Sequence, residues 1–289
     1  MKTPLLCSGF VLAALAATLS AADPADAPLD ALLRYQSGAD VSPLRHYEAL
    51  IRQAVDDPAT RQRVETDFIR VLSGDSTYEA KRFACQQLAV IGSEACAPAL
   101  AALLKNAETA GIAAAALAQN PALAASDALR RALGTAPAAA RPALAHALGV
   151  RGDTKAMAQL NKLARGSDFA TAEAALSALA KIATPGAQKT LAELRQNPPP
   201  ELRRVAAEAS FYLADTLVRR GHRKTATAIY QEYLAADQPA DLRRGAFGNL
   251  LRLDRDGGQR RAVEALRGED AALKPVAIAA LPELKNAGA

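Results

Sequence analysis

The stretch Phe83–Asn106 reads FACQQLAVIGSEACAPALAALLKN. It holds Cys85, Cys96, a single glycine at Gly92 and two leucine-rich runs. Either it is a reactive site or it is one unit of a repeat, and the choice decides the fold. Leu88 stands near the end of the first run, and Leu100 stands in the second. The same pair recurs along the chain. Leu88, Leu117, Leu148, Leu179, Leu217 and Leu251 follow one another at spacings of 29, 31, 31, 38 and 34 residues. Four residues before each lies Ala84, Ala113, Leu144, Ala175, Leu213 or Phe247. Twelve residues after each lies Leu100, Leu129, Leu160, Leu191, Ile229 or Val263. Four residues after come Gly92, Pro121, Gly152, Ala183, Gly221 and Arg255, nearly all small or turn-forming.

Each unit therefore reads as helix, short turn, helix. One such hairpin cannot bury its own apolar face, whereas stacked neighbours form a continuous core. Gly92 is expected to end its first helix in the left-handed conformation that glycine adopts at little cost. Composition agrees: half of the residues are hydrophobic, 4% are aromatic and tryptophan is absent. Alanine and leucine dominate, which suits close-packed helices and suits strands poorly. Helix starts are expected at Ser42-Pro43, Asp57-Pro58 and Thr184-Pro185, where a capping side chain precedes a proline. Ser76–Glu79 has capping-box spacing. Pro198, Pro199 and Pro200 mark a further break.

The segments KRFACQQLAVIGSEACAPALAALL, ARPALAHALGVRGDTKAMAQLNKLA and TAEAALSALAKIATPGAQKTLAELRQN resemble the HEAT-repeat family, in the form common in exported bacterial proteins. The resemblance implies an all-α, armadillo-like, right-handed α-solenoid of about seven helical hairpins. It covers residues 76–197 well and residues 200–285 more loosely. The longer unit YLADTLVRRGHRKTATAIYQEYLA looks more like a tetratricopeptide repeat, with Leu213, Ala214, Gly221, Ala226 and Tyr230 at that family's spacing. Tyr233 and Pro239 depart from it.

The expected organisation runs from a signal peptide over residues 1–22 and a linker over 23–29 to a helical cap over 30–75. HEAT-like units over 76–197 follow, then HEAT/TPR-like units and a closing half-unit over 198–289. Lys2, the apolar run LLCSGFVLAALAATL and the small residues Ser20, Ala21 and Ala22 make the secretory signal. The run is shorter than the roughly 20 residues a membrane span needs. Cleavage near Ala22-Asp23 would leave a periplasmic or secreted protein with no membrane insertion. Residues 200–268 carry 13 basic against 9 acidic groups, while residues 23–199 carry 19 and 18.

Chemistry-bearing motifs are sparse. His46, His146 and His222 lie far apart, and no stretch has metal-ligand or nucleophile–base spacing. No cofactor and no catalytic residue is expected. Arg151-Gly152-Asp153 matches an adhesion tripeptide but falls at a repeat turn, where Asp153 can cap the next helix. Cys85 and Cys96 would differ in height along their helices by roughly 6 Å. With a helix separation of roughly 8–10 Å, this exceeds the reach of about 7 Å between disulfide α-carbons. Both are expected to be free, buried thiols. Five Arg-Arg pairs, at 130–131, 203–204, 219–220, 243–244 and 260–261, suggest solvated faces or an acidic partner. Nucleic acid is not expected, since the charge excess is small and tryptophan is absent for stacking.

The function so implied is a non-catalytic protein–protein interaction scaffold outside the cytoplasm, holding a protein or peptide on a concave face lined by the second helices. Lys155, Gln159, Lys162, Lys189, Arg260 and Arg261 are the polar positions expected on that face, with Tyr230 and Tyr233 as anchors. The alternatives are an accessory docking subunit of an exported hydrolase or oxidoreductase, or a HEAT-like lyase.

Overall fold

The structure, a computed structural model, describes residues 27–285. The expected signal peptide and the first residues of the expected linker lie outside the described residues. Among those described, the chain folds into sixteen α-helices and no strand. Helices α1 (Ala27–Leu33), α2 (Ser42–Gln53) and α3 (Pro58–Ser73) come first. Six hairpins follow. They are α4 (Tyr78–Ile91) with α5 (Ala97–Leu103), α6 (Ala110–Gln119) with α7 (Leu123–Thr135), and α8 (Arg141–Val150) with α9 (Met157–Leu163). Then come α10 (Phe169–Ile182) with α11 (Pro185–Gln196), α12 (Arg203–Arg219) with α13 (Arg223–Glu232), and α14 (Ala240–Leu253) with α15 (Arg255–Arg267). Helix α16 (Lys274–Lys285) closes the stack. The expected linker ends early. Helix α1 already starts at Ala27, because Leu29 and Leu32 are buried against the following helices.

The repeat positions land where the spacing predicts. All six anchor leucines lie on first helices and are buried, as are the six residues four positions before them. Leu100, Leu129, Leu160, Leu191 and Ile229 are buried on second helices. The last unit slips by one residue: Ala262 is fully buried and Val263 only half-buried. One hydrophobic core runs from Leu29 to Leu250, and a smaller one gathers Phe247, Leu251, Ala262 and Ala277. Helix α14 contributes to both.

The caps show how local chemistry sets the breaks. Asp57 accepts from the Ala59 amide and Thr184 from the Ala187 amide, each before a proline in the first turn. Two expected caps move. Thr77, not Ser76, caps α4 through the Ala80 amide, and the Ser76 hydroxyl instead donates to the Val71 carbonyl at 2.6 Å. Ser42 is the first helical residue of α2, and Asp40 accepts from its amide at 3.0 Å. The turn after the first helix also varies. Gly152 and Gly221 are left-handed, with φ of 63° and 84°, and Ala183 adopts the same conformation at φ 52°. Gly92 does not, having φ −63° and ψ 143°. Glycine is needed there for space. A Cβ would stand 2.4 Å from the Leu88 carbonyl oxygen, 2.7 Å from Cys96 Sγ and 2.8 Å from Asn120 Nδ2.

Cys85 and Cys96 are unbridged and buried. Cys96 Sγ donates to the Ser93 carbonyl at 3.2 Å and accepts from Asn120 Nδ2 at 3.3 Å. Burial is the main cause that pushes both thiols up to about 12. Thiolates are the reactive form, so neither thiol is expected to react with a maleimide in native protein at pH 8. Both are expected to react in denaturant without prior reduction. Fast native labelling at either position would contradict the packing described.

Candidate functional site

The first helices form the tighter row of the stack. Helices α4, α6, α8, α10 and α12 pack on one another in succession, whereas the second helices meet their counterparts less extensively. Small residues cause this. Gly149 on α8 faces Ala178 on α10, and a Cβ at Gly149 would lie 2.6 Å from Ala178 Cα. The backbones are therefore in near contact, closer than leucine-lined helices allow. The first-helix row is thus the closely packed side of the stack over these units, and the second helices, which the sequence analysis expects to line the partner face, form the looser row.

Two residues past the first five anchors, the first helices present Val90, Gln119, Val150, Lys181 and Arg219. These are exposed apart from the half-buried Lys181, and Val90 retains 69% and Val150 47% of its surface. The strip thus changes along the stack from apolar and neutral to cationic.

Two arginines one position further on tie unit to unit. Arg151, after α8, donates through Nη1 to the Leu117 carbonyl at 2.7 Å, through Nη2 to the Ala122 carbonyl at 3.0 Å and through Nε to Ser126 Oγ at 2.7 Å. Arg220, after α12, donates through Nη1 to the Ile182 carbonyl at 3.1 Å and through Nη2 to the Lys181 carbonyl at 3.3 Å. Both guanidinium groups fill carbonyls left open at the end of the preceding unit's first helix, where the helix dipole also favours a cation. The neighbouring Asp153 accepts from the Lys155 amide at 2.9 Å and pairs with Arg130. The charged side chains of the Arg-Gly-Asp tripeptide are thus both occupied in the structure. Arg151→Met should cost about 2 kcal/mol, the scale of hydrogen bonds to a charged group. Arg151→Lys should recover only part of it, since an ammonium cannot reproduce the planar fork. Urea midpoints at unchanged slope would measure both.

A cleft of about 580 Å³ opens where α8, α10 and α12 end. Arg151, Lys181, Tyr212, Arg219 and Arg220 line it with Val150, and no carboxylate does. The Arg219 guanidinium lies 5.8 Å over the Tyr212 ring, and Arg219 Nη2 donates to Thr216 Oγ1 at 2.9 Å. Tyr212 is 42% exposed. Lys181 Nζ lies 3.3 Å from His146 Nδ1. Burial lowers the Lys181 ammonium. Burial, and then the Lys181 charge, hold the His146 imidazole below its ordinary value. A neutral imidazole accepts from the ammonium and leaves its positive charge uncompensated.

The residues expected from sequence are not gathered in this way. Lys155, Lys162 and Lys189 are exposed on the second-helix side. The Gln159 amide donates to the Arg130 carbonyl at 3.2 Å, a structural use. Arg260 is exposed and stands 4.0 Å from Glu264 one turn on. Arg261 pairs at 2.9 Å with Asp254, the cap of α15. Tyr230 and Tyr233 are not exposed anchors. Tyr230 is fully buried, with its hydroxyl donating to Asp215 Oδ1 at 2.6 Å, and Tyr233 packs edge-on to Phe211 at 4.9 Å. Their apolar neighbours on α12 bury both rings. The cleft was missed because its cations come from three helices. Among the Arg-Arg pairs, only 219–220 pointed to it.

Among the described residues there is no cluster of three or more His, Cys, Asp or Glu able to hold a metal, and no helix is long and apolar enough to cross a membrane. A family model described as HEAT repeats matches residues 126–210, which run from α7 into α12. Over those residues the chain is similar to HEAT repeats, and the stacked hairpins on either side continue the same helical-repeat architecture. Comparison with curated proteins gives no match. Among solved structures, one described as an engineered protein from a structural genomics consortium covers 84% of this chain and 97% of its own, at 19% identity and a TM-score of 0.31. That likeness is too slight to bear on the fold.

Proposed function

We propose that this chain is a non-catalytic scaffold that acts outside the cytoplasm and holds a partner protein or peptide along its first-helix row. The observation that carries the reading is the exposed strip from Val90 to Arg219, set at one position per unit on rigidly stacked helices. HEAT repeats generally mediate protein–protein interaction. Export rests on the apolar run and small residues of positions 1–22. A photo-crosslinking amino acid at Val150, in the native host, is expected to trap a discrete partner, and one at Lys162 is expected to trap none. Equal yields at both positions would count against the row. Identification of the trapped protein as an exported hydrolase or oxidoreductase would turn the scaffold into that enzyme's docking subunit. N-terminal sequencing of the mature protein should begin near Asp23, and an intact Met1 would remove the extracytoplasmic part of the reading.

A further inference from the structure

We propose that the cleft at the ends of α8, α10 and α12 is a binding site for an extended acidic peptide segment, with carboxylates at alternate positions. The proposal rests on the scaffold reading and gives its partner a chemistry. Four cations line the cleft without a carboxylate among them. Arg151 and Arg220 are held by backbone carbonyls, so their positions are set before any ligand arrives. Lys181 and Arg219 make no ion pair among the described residues, and the contacts they do make, to a histidine nitrogen, a threonine hydroxyl and the Tyr212 ring, leave their charges uncancelled. Such a preorganised array of one sign attracts anions and loses little freedom on binding them.

Three features favour a peptide over a small ion. First, the cations belong to successive helices. Neighbours in a packed row stand about 8–10 Å apart, and alternate side chains of an extended strand lie about 7 Å apart. Carboxylates two residues apart on one strand therefore come within reach of Lys181 and Arg219 together. Second, Tyr212 and Val150 expose apolar surface at the edges of the cleft. The methylene groups of the glutamate side chains can cover that surface, and a free phosphate cannot. Third, the strip continues through Gln119 and Val90 without charge. A peptide that leaves the cleft along the row meets a neutral, partly apolar track. A nucleic-acid backbone would need cations along its whole path.

The test uses a fluorescent octapeptide of alternating Glu and Ser, and a Gln–Ser counterpart of the same length, followed by anisotropy. The Glu peptide is expected to bind saturably, more weakly as salt is raised from 0.05 to about 0.5 M, and the Gln peptide not to bind. Lys181→Gln with Arg219→Gln should weaken binding at least tenfold at an unchanged melting temperature. Arg260→Gln with Arg261→Gln should leave it within twofold. Tyr212→Ala should weaken the peptide several-fold through loss of its flanking contact. Absence of saturable binding, or equal loss in the two double variants, would overturn the proposal. Displacement of the peptide by inorganic phosphate at equal concentration would do so too, by making the cleft a free-anion site. The crosslink at Val150 separates the two failures. If it persists in the Lys181/Arg219 variant while the peptide never binds, the scaffold stands and the acidic partner falls.

Discussion

Gly149→Val is expected to destabilise the protein by about 3 kcal/mol or more, at the upper end of overpacking substitutions. Glycine inside a helix costs roughly 1 kcal/mol relative to alanine, so propensity alone would make most replacements in α8 stabilising. The close approach to α10 reverses that sign. A Cβ at position 149 meets Ala178 Cα at 2.6 Å and Ala178 Cβ at 2.8 Å. The first obstruction is backbone, so Ala178→Gly should fail to rescue even Gly149→Ala. Full rescue would show that the side chain, not the helix axis, sets the distance. Thermal and urea unfolding of the single and double variants would decide. Partner crosslinking at Val150 should fall with Gly149→Val, because the first-helix row is forced open.

Leu160→Ala should cost roughly 2–5 kcal/mol, the usual range for deleting a buried leucine in a packed core. Leu160 is fully buried on α9, a helix of only seven residues. Such a helix is too short to hold its own shape and depends on the core beneath it. Lys162, two residues on, is exposed and makes no ion pair among the described residues, and its alanine variant should stay within roughly 0.5 kcal/mol of the parent. Similar losses at both positions would mean that the repeat register around α9 is misplaced.

The repeat was legible because burial in a stack of hairpins imposes one period on two helices at once. Leu88 and Leu100 announce it together, and the same pair holds through Leu217 and Ile229. It fades at Val263, where α15 presents Ala262 to the second core instead. Conformation at turns was less legible. A glycine in a turn position suggests a positive φ, and this is right for Gly152 and Gly221. At Gly92 the demand is for space, from the Leu88 carbonyl of its own helix and from Cys96 and Asn120, and the Asn120 contact, 28 residues away, leaves no local mark. The binding surface was least legible. A helix's exposed residues show which positions are polar, but which row of helices packs closely depends on how near two backbones come. Tyr230 and Tyr233 looked like anchors by residue type, and their packing against Phe211 of α12 put them inside.

The shared wall at α14 has a consequence for how the molecule wears. Phe247 and Leu251 turn toward the small core, while Leu242, Ala246 and Leu250 turn toward the long one. The small core is built on few buried side chains, so its local opening should require less free energy than opening of the long stack. Transient peeling of α15 and α16 would free the backbone of the arginine-rich segment 255–267, a ready substrate for trypsin-like proteases. Limited digestion should therefore shorten the chain from its C-terminal side and stall at α14. The product would keep the whole first-helix row and its cleft, as a plate stack that has lost only its last plates.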